Sequence, residues 1–262
     1  VYINLGVALK DQGKLDEALA RGTTLSHQFP SYPLIWKILG AAYRKLGKLS
    51  DALISNQTVV SIAPEDAEGY FNLGNTFYKL NNIPESNFYF EKALAISPND
   101  SDVITNLSFA QNLRIDKIEN LPVTQIQNFK ISILDLLSEK GWAYSFVISV
   151  WFLCISFLLY FFLKNSKSKR IFFTLSVFIT LISFASLYLN FEKKAENNIK
   201  YAIVFDKEIE VWSEPNKISE LKFLLHEGTK VKQIDIIEDW VNIQLENGTL
   251  GWIEASSLRV LN

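Results

Sequence analysis

Two long apolar runs interrupt an otherwise polar chain. Residues 142–163 (WAYSFVISVWFLCISFLLYFFL) and 171–191 (IFFTLSVFITLISFASLYLNF) contain no Asp, Glu, Lys, Arg or His. A helix rises about 1.5 Å per residue, so about 20 apolar residues cross a hydrocarbon core near 30 Å thick. Each run therefore predicts a transmembrane helix. The stretch between them, residues 164–170 (KNSKSKR), is too short and too charged to recross the bilayer. The spans are predicted to run antiparallel as a hairpin, leaving the chain before Trp142 and the chain after Phe191 on the same side.

Upstream, residues 1–114 are helical in pattern and repeat every 34 positions. Leu5-Gly6, Leu39-Gly40 and Leu73-Gly74 are in register, as are Pro30, Pro64 and Pro98, and as are the aromatics Tyr2, Trp36 and Tyr70. Leu9, Tyr43 and Phe77 follow each glycine, and Ala18, Ala52 and Ser86 hold the next shared position. Small residues let paired helices approach closely, aromatics fill the space between repeats, and proline ends the second helix of each pair. Gly13 and Gly47, with Asn81 in the third repeat, fit turn positions that need a positive φ. The pattern resembles the tetratricopeptide repeat (TPR), with three repeats and a closing helix over Asp102–Leu113.

That resemblance implies an α-solenoid whose concave face, lined by the first helix of each repeat, binds a peptide. By register the face carries Ile3, Val7, Lys10, Lys37, Ala41, Arg44, Lys45, Phe71, Asn75, Tyr78, Lys79, Thr105, Phe109 and Asn112. Lys37, Arg44, Lys45, Phe71, Asn75 and Tyr78 are the candidate peptide-binding residues, although Lys37, Arg44 and Lys45 also fit a plain solvated face. Capture of a chaperone's terminal carboxylate is not expected. Lys37 and Asn72 suit that chemistry, but Ala41 stands where an Asn is needed, and Asp102 and Asn106 stand where cations are needed.

Residues 115–141 form a linker and an amphipathic stretch in which Ile126, Phe129, Ile133, Leu136 and Leu137 recur at helical spacing. The stretch fits either a helix in the lipid headgroup region or a cap on the repeats. Lys164, Lys167, Lys169 and Arg170 between the spans, with no acid among them, predict a cytoplasmic loop by the positive-inside rule. Both polar regions then lie outside the cytoplasm. Trp142, Tyr144, Tyr160 and Tyr188 fit interfacial belts, and the absence of ionisable residues from both spans argues for an anchor over a conduction path.

After a linker at 192–198, residues 199–262 change to period two. The runs YAIVF, EIEVW, KVKQIDII, WVNIQL and LGWIE predict about five strands, with Asn247-Gly248 as a two-residue type I′ hairpin turn. Five or so short strands suggest a small β-barrel. The series Val211-x-Ser213-x-Pro215, Leu225-x-Glu227-Gly228-Thr229-x-Val231, Asp239-Trp240-Val241-x-Ile243 and Asn247-Gly248-x-x-Gly251-Trp252-Ile253 resembles a bacterial SH3-like domain. Trp212, Trp240 and Trp252 are its candidate groove residues. Trp240 and Trp252 fit core positions better than groove positions, and Trp212 better suits an exposed contact.

Composition adds exclusions. A net charge of −2 among 262 residues, with no basic run beyond the loop between the spans, does not suit nucleic acid. The single cysteine, Cys154, lies within the first span and permits no intrachain disulfide. His27 and His226 fall in different domains outside any metal-ligand spacing, and no P-loop, nucleophile elbow or dinucleotide loop occurs. No enzyme activity, cofactor or metal is expected. The chain starts at Val1 and contains no Met, which suggests a fragment or a processed product.

A TPR solenoid, a two-helix transmembrane hairpin and a small SH3-like barrel, in that order, resemble the BatE family of the Bacteroides aerotolerance group. The resemblance implies a scaffold in the bacterial inner membrane with periplasmic TPR and SH3-like domains. Its implied partners are other Bat membrane proteins that carry von Willebrand A domains, and its implied role is stress tolerance. Peptidoglycan bound by the SH3-like domain is the alternative ligand.

Overall fold

The computed structural model describes residues 14–119, 121–122 and 124–261. The first helix of the first repeat, with Ile3, Val7, Lys10 and Gly13, lies outside the described residues. The chain divides into two compact units, Val1–Asn120 with Lys200–Asn262, and Leu121–Ile199.

The first unit begins with a helical array: α1 (Leu15–Gln28), α2 (Pro33–Lys45), α3 (Leu49–Ile62), α4 (Ala67–Lys79), α5 (Ile83–Ile96) and α6 (Ser101–Asn112). Proline sets its period. Phe29, Ala63 and Ser97 each precede a proline, whose ring disfavours helical backbone one residue earlier. All three leave the helix at φ between −126° and −133°, after a last bond to the carbonyl four residues back. Within each pair the turn uses a left-handed residue, Gly47 at φ 75° and Asn81 at φ 56°. The amides of Lys48 and Asn82 then reach back to Tyr43 and Phe77, closing Schellman-type caps.

Small residues sit where the helices meet. Ala18, Ala52 and Ser86 are fully buried, and the Ser86 hydroxyl, replacing an alanine methyl, donates to the Gly74 carbonyl at 3.0 Å. A Cβ on Gly74 would stand 2.5 Å from the Phe90 ring, so only glycine admits that packing. Phe90, Ala93, Val103, Leu107 and Ala110 form the core between α5 and α6.

The unit's carboxyl-terminal part is an antiparallel seven-stranded sheet of order β3-β2-β6-β5-β4-β1-β7. Its strands are β1 (Lys200–Val204), β2 (Glu208–Trp212), β3 (Leu221–His226), β4 (Lys230–Ile237), β5 (Trp240–Gln244), β6 (Leu250–Glu254) and β7 (Leu258–Leu261). The expected closed barrel of about five strands is corrected on two points. Leu221–His226 pairs with β2 and Leu258–Leu261 with β1, which raises the five expected strands to seven, and β3 and β7 are the two edges, so the sheet stays open. Ala202, Val204, Ile209, Val211, Leu225, Val231, Val241, Ile243, Leu245 and Ile253 form its core, with Ile118 from the end of the array packed against them.

The expected Asn247-Gly248 hairpin turn also differs. Only Gly248 has a positive φ, at 84°, whereas type I′ needs two such residues. Gly248 donates its amide to the Leu245 carbonyl and Leu245 donates to the Thr249 carbonyl, making a three-residue loop closed by a left-handed glycine. Asn247 instead accepts the Thr249 amide at 3.0 Å through its side chain. Between β4 and β5, Glu238 turns the chain at φ 51°, a position that nothing in the residue type announces.

The second unit holds α7 (Gln125–Leu134), α8 (Glu139–Phe162) and α9 (Ser166–Asn197). α8 and α9 are each long and apolar enough to cross a membrane. The amphipathic stretch does not run unbroken to Lys140. A Thr124–Gln127 capping box starts α7, the helix ends at Leu134, and Ser138 caps α8. Lys193 in α9 pairs with Asp135 at 2.7 Å, Lys130 with Glu192 at 2.6 Å, and Trp142 Nε1 donates to the Leu134 carbonyl at 3.2 Å. The loop between the apolar helices is only Leu163–Asn165. Asn165 caps α9, so Lys167, Lys169 and Arg170 fall within its first five residues while Lys164 stays in the loop.

Serines line the seam between α8 and α9. Ser149 meets Ser183 at 2.8 Å, Ser156 meets Ser176 at 3.1 Å, and Ser145 meets Ser186 at 3.2 Å. Ser149, Ser156, Ser183 and Ser186 are buried, whereas Phe152, Phe157, Phe178 and Phe184 are exposed on the outside.

Candidate interaction surfaces

α2, α4 and α6 are the first helices of successive repeats and lie side by side. Their 34-residue register gives three rows: Ala41, Asn75 and Phe109; Arg44, Tyr78 and Asn112; Lys45, Lys79 and Leu113. Neighbours occupy several of the candidate side chains. Lys37 Nζ meets Asp66 at 2.6 Å and Glu68 at 2.8 Å. Burial acts to lower the pKa of Lys37, but the two carboxylates outweigh it and hold the amine above the ordinary lysine value. Arg44 is partly buried, and that burial lowers its pKa. Phe71 packs on Phe90 with ring centroids 5.9 Å apart, and Asn75 accepts the Asn106 amide at 2.8 Å. Lys45, Tyr78, Lys79 and Phe109 present exposed side chains. Sequence reasoning placed these residues on one face but missed Asp66, Glu68 and Asn106, which occupy Lys37 and Asn75.

Two of the three tail tryptophans depart from expectation. Each is a strand neighbour of a buried aliphatic, Trp212 of Val211, Trp240 of Val241 and Trp252 of Ile253. Strand alternation therefore turns all three indoles to the outer face, where each is half-buried, and none belongs to the core. Trp240 and Trp252 are thus corrected from core to face residues.

One constellation had no counterpart in the sequence reading. The Asp116 carboxylate accepts from the His226 amide at 2.6 Å and the Thr229 hydroxyl at 3.0 Å, and pairs with His226 Nδ1 at 2.8 Å. Asn87 Nδ2 donates to the Gly228 carbonyl at 2.9 Å, and Lys230 pairs with Glu91 at 2.7 Å. Arg259 pairs with Glu85 while its guanidinium lies 3.9 Å from the ring centres of both Phe88 and Phe205. The outward face of α5 and the segment after α6 are therefore joined to the β3–β4 turn, Phe205 and β7. His226, unremarkable in the sequence, sits at the centre. Desolvation acts to raise the pKa of Asp116, but the bonds from His226 and Thr229 prevail and lower it. The hydrogen bond to Asp116 raises that of His226.

With this geometry in view, comparison with known proteins decides the array. A family model described as tetratricopeptide repeat matches residues 67–100, and one described as TPR repeat matches residues 40–81. Residues 40–100 are tetratricopeptide repeats. TPR proteins of this kind bind protein partners, so the array is an interaction scaffold. Solved structures of TPR domains are similar to part of the chain. The first TPR domain of human RPAP3 is 23% identical, with a TM-score of 0.42, covering 43% of this chain and 88% of that one. The second TPR domain of human RPAP3, in complex with an HSP70 peptide, is 19% identical at TM-score 0.41, covering 42% and 92%. The Arabidopsis OM64 TPR domain is 16% identical at TM-score 0.42, covering 43% and 93%. No curated protein sequence matches the chain.

Proposed function

We propose that this chain is a membrane-anchored scaffold of the Bat type, in which the TPR concave face holds a segment of a partner protein and the sheet acts as an SH3-like module. The observation that carries this reading is the alignment of exposed Lys45, Tyr78, Lys79 and Phe109 on adjacent first helices of the repeats. Two cations at one repeat spacing, Lys45 and Lys79, with the aromatic rings of Tyr78 and Phe109 on the same face, suit a peptide carrying both acids and apolar side chains. Lys37 contributes to this face through Asp66 and Glu68, not as a ligand for the peptide. Two apolar helices joined by a short cationic turn support the anchor, and the positive-inside rule applied to Lys164, Lys167, Lys169 and Arg170 favours the cytoplasmic side for that turn. The SH3-like motif residues fall on the strands and turns of the sheet, which supports that assignment.

The test is co-purification of the full chain with a membrane protein bearing a von Willebrand A domain. Lys45→Glu with Lys79→Glu should weaken capture about tenfold, with no change in melting temperature. Equal capture by wild type and variant would remove the concave face from the proposal. Sidedness follows from labelling single cysteines placed at Lys164 and Asn247 in a Cys154→Ser background. An externally labelled Lys164→Cys together with a protected Asn247→Cys would reverse the topology.

A further inference from the structure

α7 buries only Leu134, and much of what it leaves exposed is apolar. Ile126 is 81% exposed, Phe129 68% and, just past the helix, Leu136 70%. Ile126, Phe129 and Ile133 recur at spacings of three and four, so they share one side of the helix, while Asn128, Ser132 and Asp135 hold the other. Contiguous apolar side chains rimmed by polar ones mark an interaction site. Two coverings fit the sequence, the lipid headgroup region and the repeats.

The partners of α7 fix its position along the hairpin. It belongs to the same compact unit as α8 and α9. Trp142, the first residue of the apolar run 142–163, donates its indole Nε1 to the Leu134 carbonyl at 3.2 Å. Lys130 meets Glu192 at 2.6 Å and Asp135 meets Lys193 at 2.7 Å, and these two partners directly follow Phe191, where the run 171–191 ends. Asn190 donates to the Glu139 carbonyl at 2.8 Å, so α8 begins level with residue 190 of α9. On a continuous helix Lys130 would stand about 13 Å beyond that level. It meets Glu192 instead, so α7 turns back across the end of the hairpin. For a bilayer spanned by α8 and α9, that end is the interface between acyl chains and water.

We propose that α7 lies in the headgroup layer of the bilayer that α8 and α9 cross, with Ile126, Phe129 and Ile133 against the outer acyl chains and Asn128 and Ser132 toward water. The proposal rests on the anchor reading of the two apolar helices. Interfacial helices are held by buried apolar area and by attraction of free cations to anionic lipid. Lys130 and Lys193 are both paired with carboxylates, so apolar burial supplies the hold and a zwitterionic lipid suffices.

The test places single cysteines in the full chain in a Cys154→Ser background, labels each with a fluorophore and reads quenching in zwitterionic nanodiscs. Lipid with doxyl groups high on the acyl chain should quench a label at Ile126→Cys about threefold more than one at Asn128→Cys, and iodide in the buffer should show the reverse order. A label at Phe152→Cys, in the middle of α8, is the control for the anchor and should be quenched most by doxyl groups deep in the bilayer. Deep quenching at 152 with equal iodide access at 126 and 128 overturns the interfacial helix and leaves the anchor standing. Protection of 126 from both quenchers means that protein, either the repeats or a second copy, covers the apolar side, and overturns it as well. No lipid quenching at 152 removes the anchor itself, and this proposal with it. Phe129→Asp should raise iodide quenching at 126 about threefold, whereas Phe129→Leu, which keeps an apolar side chain, should leave it unchanged. Equal behaviour of these two variants overturns the assignment of Phe129 to the lipid side.

Discussion

Asp116 and His226 are 110 residues apart in sequence yet 2.8 Å apart in the fold, where they join the segment after the last helix of the array to the β3–β4 turn. The pair predicts a pH profile. His226 titrates above its ordinary value of 6.5, so its contribution to stability is complete below 6.5 and is lost as pH rises through the raised value. Asp116 titrates below its ordinary 3.8, so its contribution is present above 3.8 and is lost as pH falls through the lowered value. The junction should therefore be most stable in mildly acidic solution, between the two. Asp116→Asn should cost about 1.5–3 kcal/mol, the range for hydrogen bonds to a charged group. His226→Gln should remove the loss of melting temperature that the wild type shows between mildly acidic and alkaline buffer. An unchanged slope would assign the titration to another group.

Asp66 serves two helices at once. Its carboxylate caps α4 by accepting the Gly69 amide at 3.1 Å, and it pairs with Lys37 from α2 at 2.6 Å. Asp66→Ala loses both interactions, and the cap alone is worth about 1 kcal/mol. Asp66→Asn can keep the cap while weakening the pair, so it should cost less. Lys37→Ala should cost less again, because Glu68 and the cap remain in place. Thermal melting of the three variants gives the order directly, and a Lys37→Ala cost as large as that of Asp66→Ala would contradict the division of roles.

The repeats were legible because their residues act locally. Proline ends a helix through its own ring, Asn81 takes a left-handed turn through its own side chain, and a 34-residue recurrence multiplies each signal. The strands were legible for the same reason, since Val and Ile recur at every second position along β2 and β5. What failed was whatever depends on tertiary context. Trp240 and Trp252 have the size of core residues, but Val241 and Ile253 already occupy the inner positions. Asn247-Gly248 has the dipeptide of a type I′ turn, yet Glu246 joins the loop and only the glycine becomes left-handed. The junction left no pattern at all, because the residues paired with Glu85 and Glu91 lie 174 and 139 positions away.

Glycines at two positions should respond to alanine for different reasons. At Gly74 a Cβ would press on Phe90, a fully buried ring that cannot yield without disturbing α5. Overpacking of this kind costs about 1–3 kcal/mol. At Gly47 no atom lies within 4 Å of the added Cβ, but φ is 75°, and a left-handed alanine costs about 1 kcal/mol. Gly47→Asn should recover part of that loss, as Asn81 does naturally, whereas no larger residue should rescue position 74. Chemical denaturation midpoints measure both, and a Gly74→Ala protein as stable as wild type would mean that α4 and α5 are packed less closely than 2.5 Å implies.

In the second unit the serine seam makes a graded prediction. Interhelical hydrogen bonds between small polar side chains in a membrane average about 0.6 kcal/mol, because competing partners exist in the dissociated state as well. Ser183→Ala should thus loosen α8 from α9 only slightly, since the methyl still fits against Ser149. Ser183→Leu is a different perturbation: the two Oγ atoms are 2.8 Å apart, and a branched four-carbon side chain cannot enter without separating the helices. The same substitution at Phe184, which is 67% exposed on the outside of the hairpin, should be neutral. Cysteine cross-linking between positions 145 and 186, whose hydroxyls are 3.2 Å apart, reads the separation in a Cys154→Ser background. Cross-linking yield should fall sharply with Ser183→Leu, slightly with Ser183→Ala and not at all with Phe184→Leu. Equal yields in all three would mean that close approach at Ser183 does not hold the hairpin together.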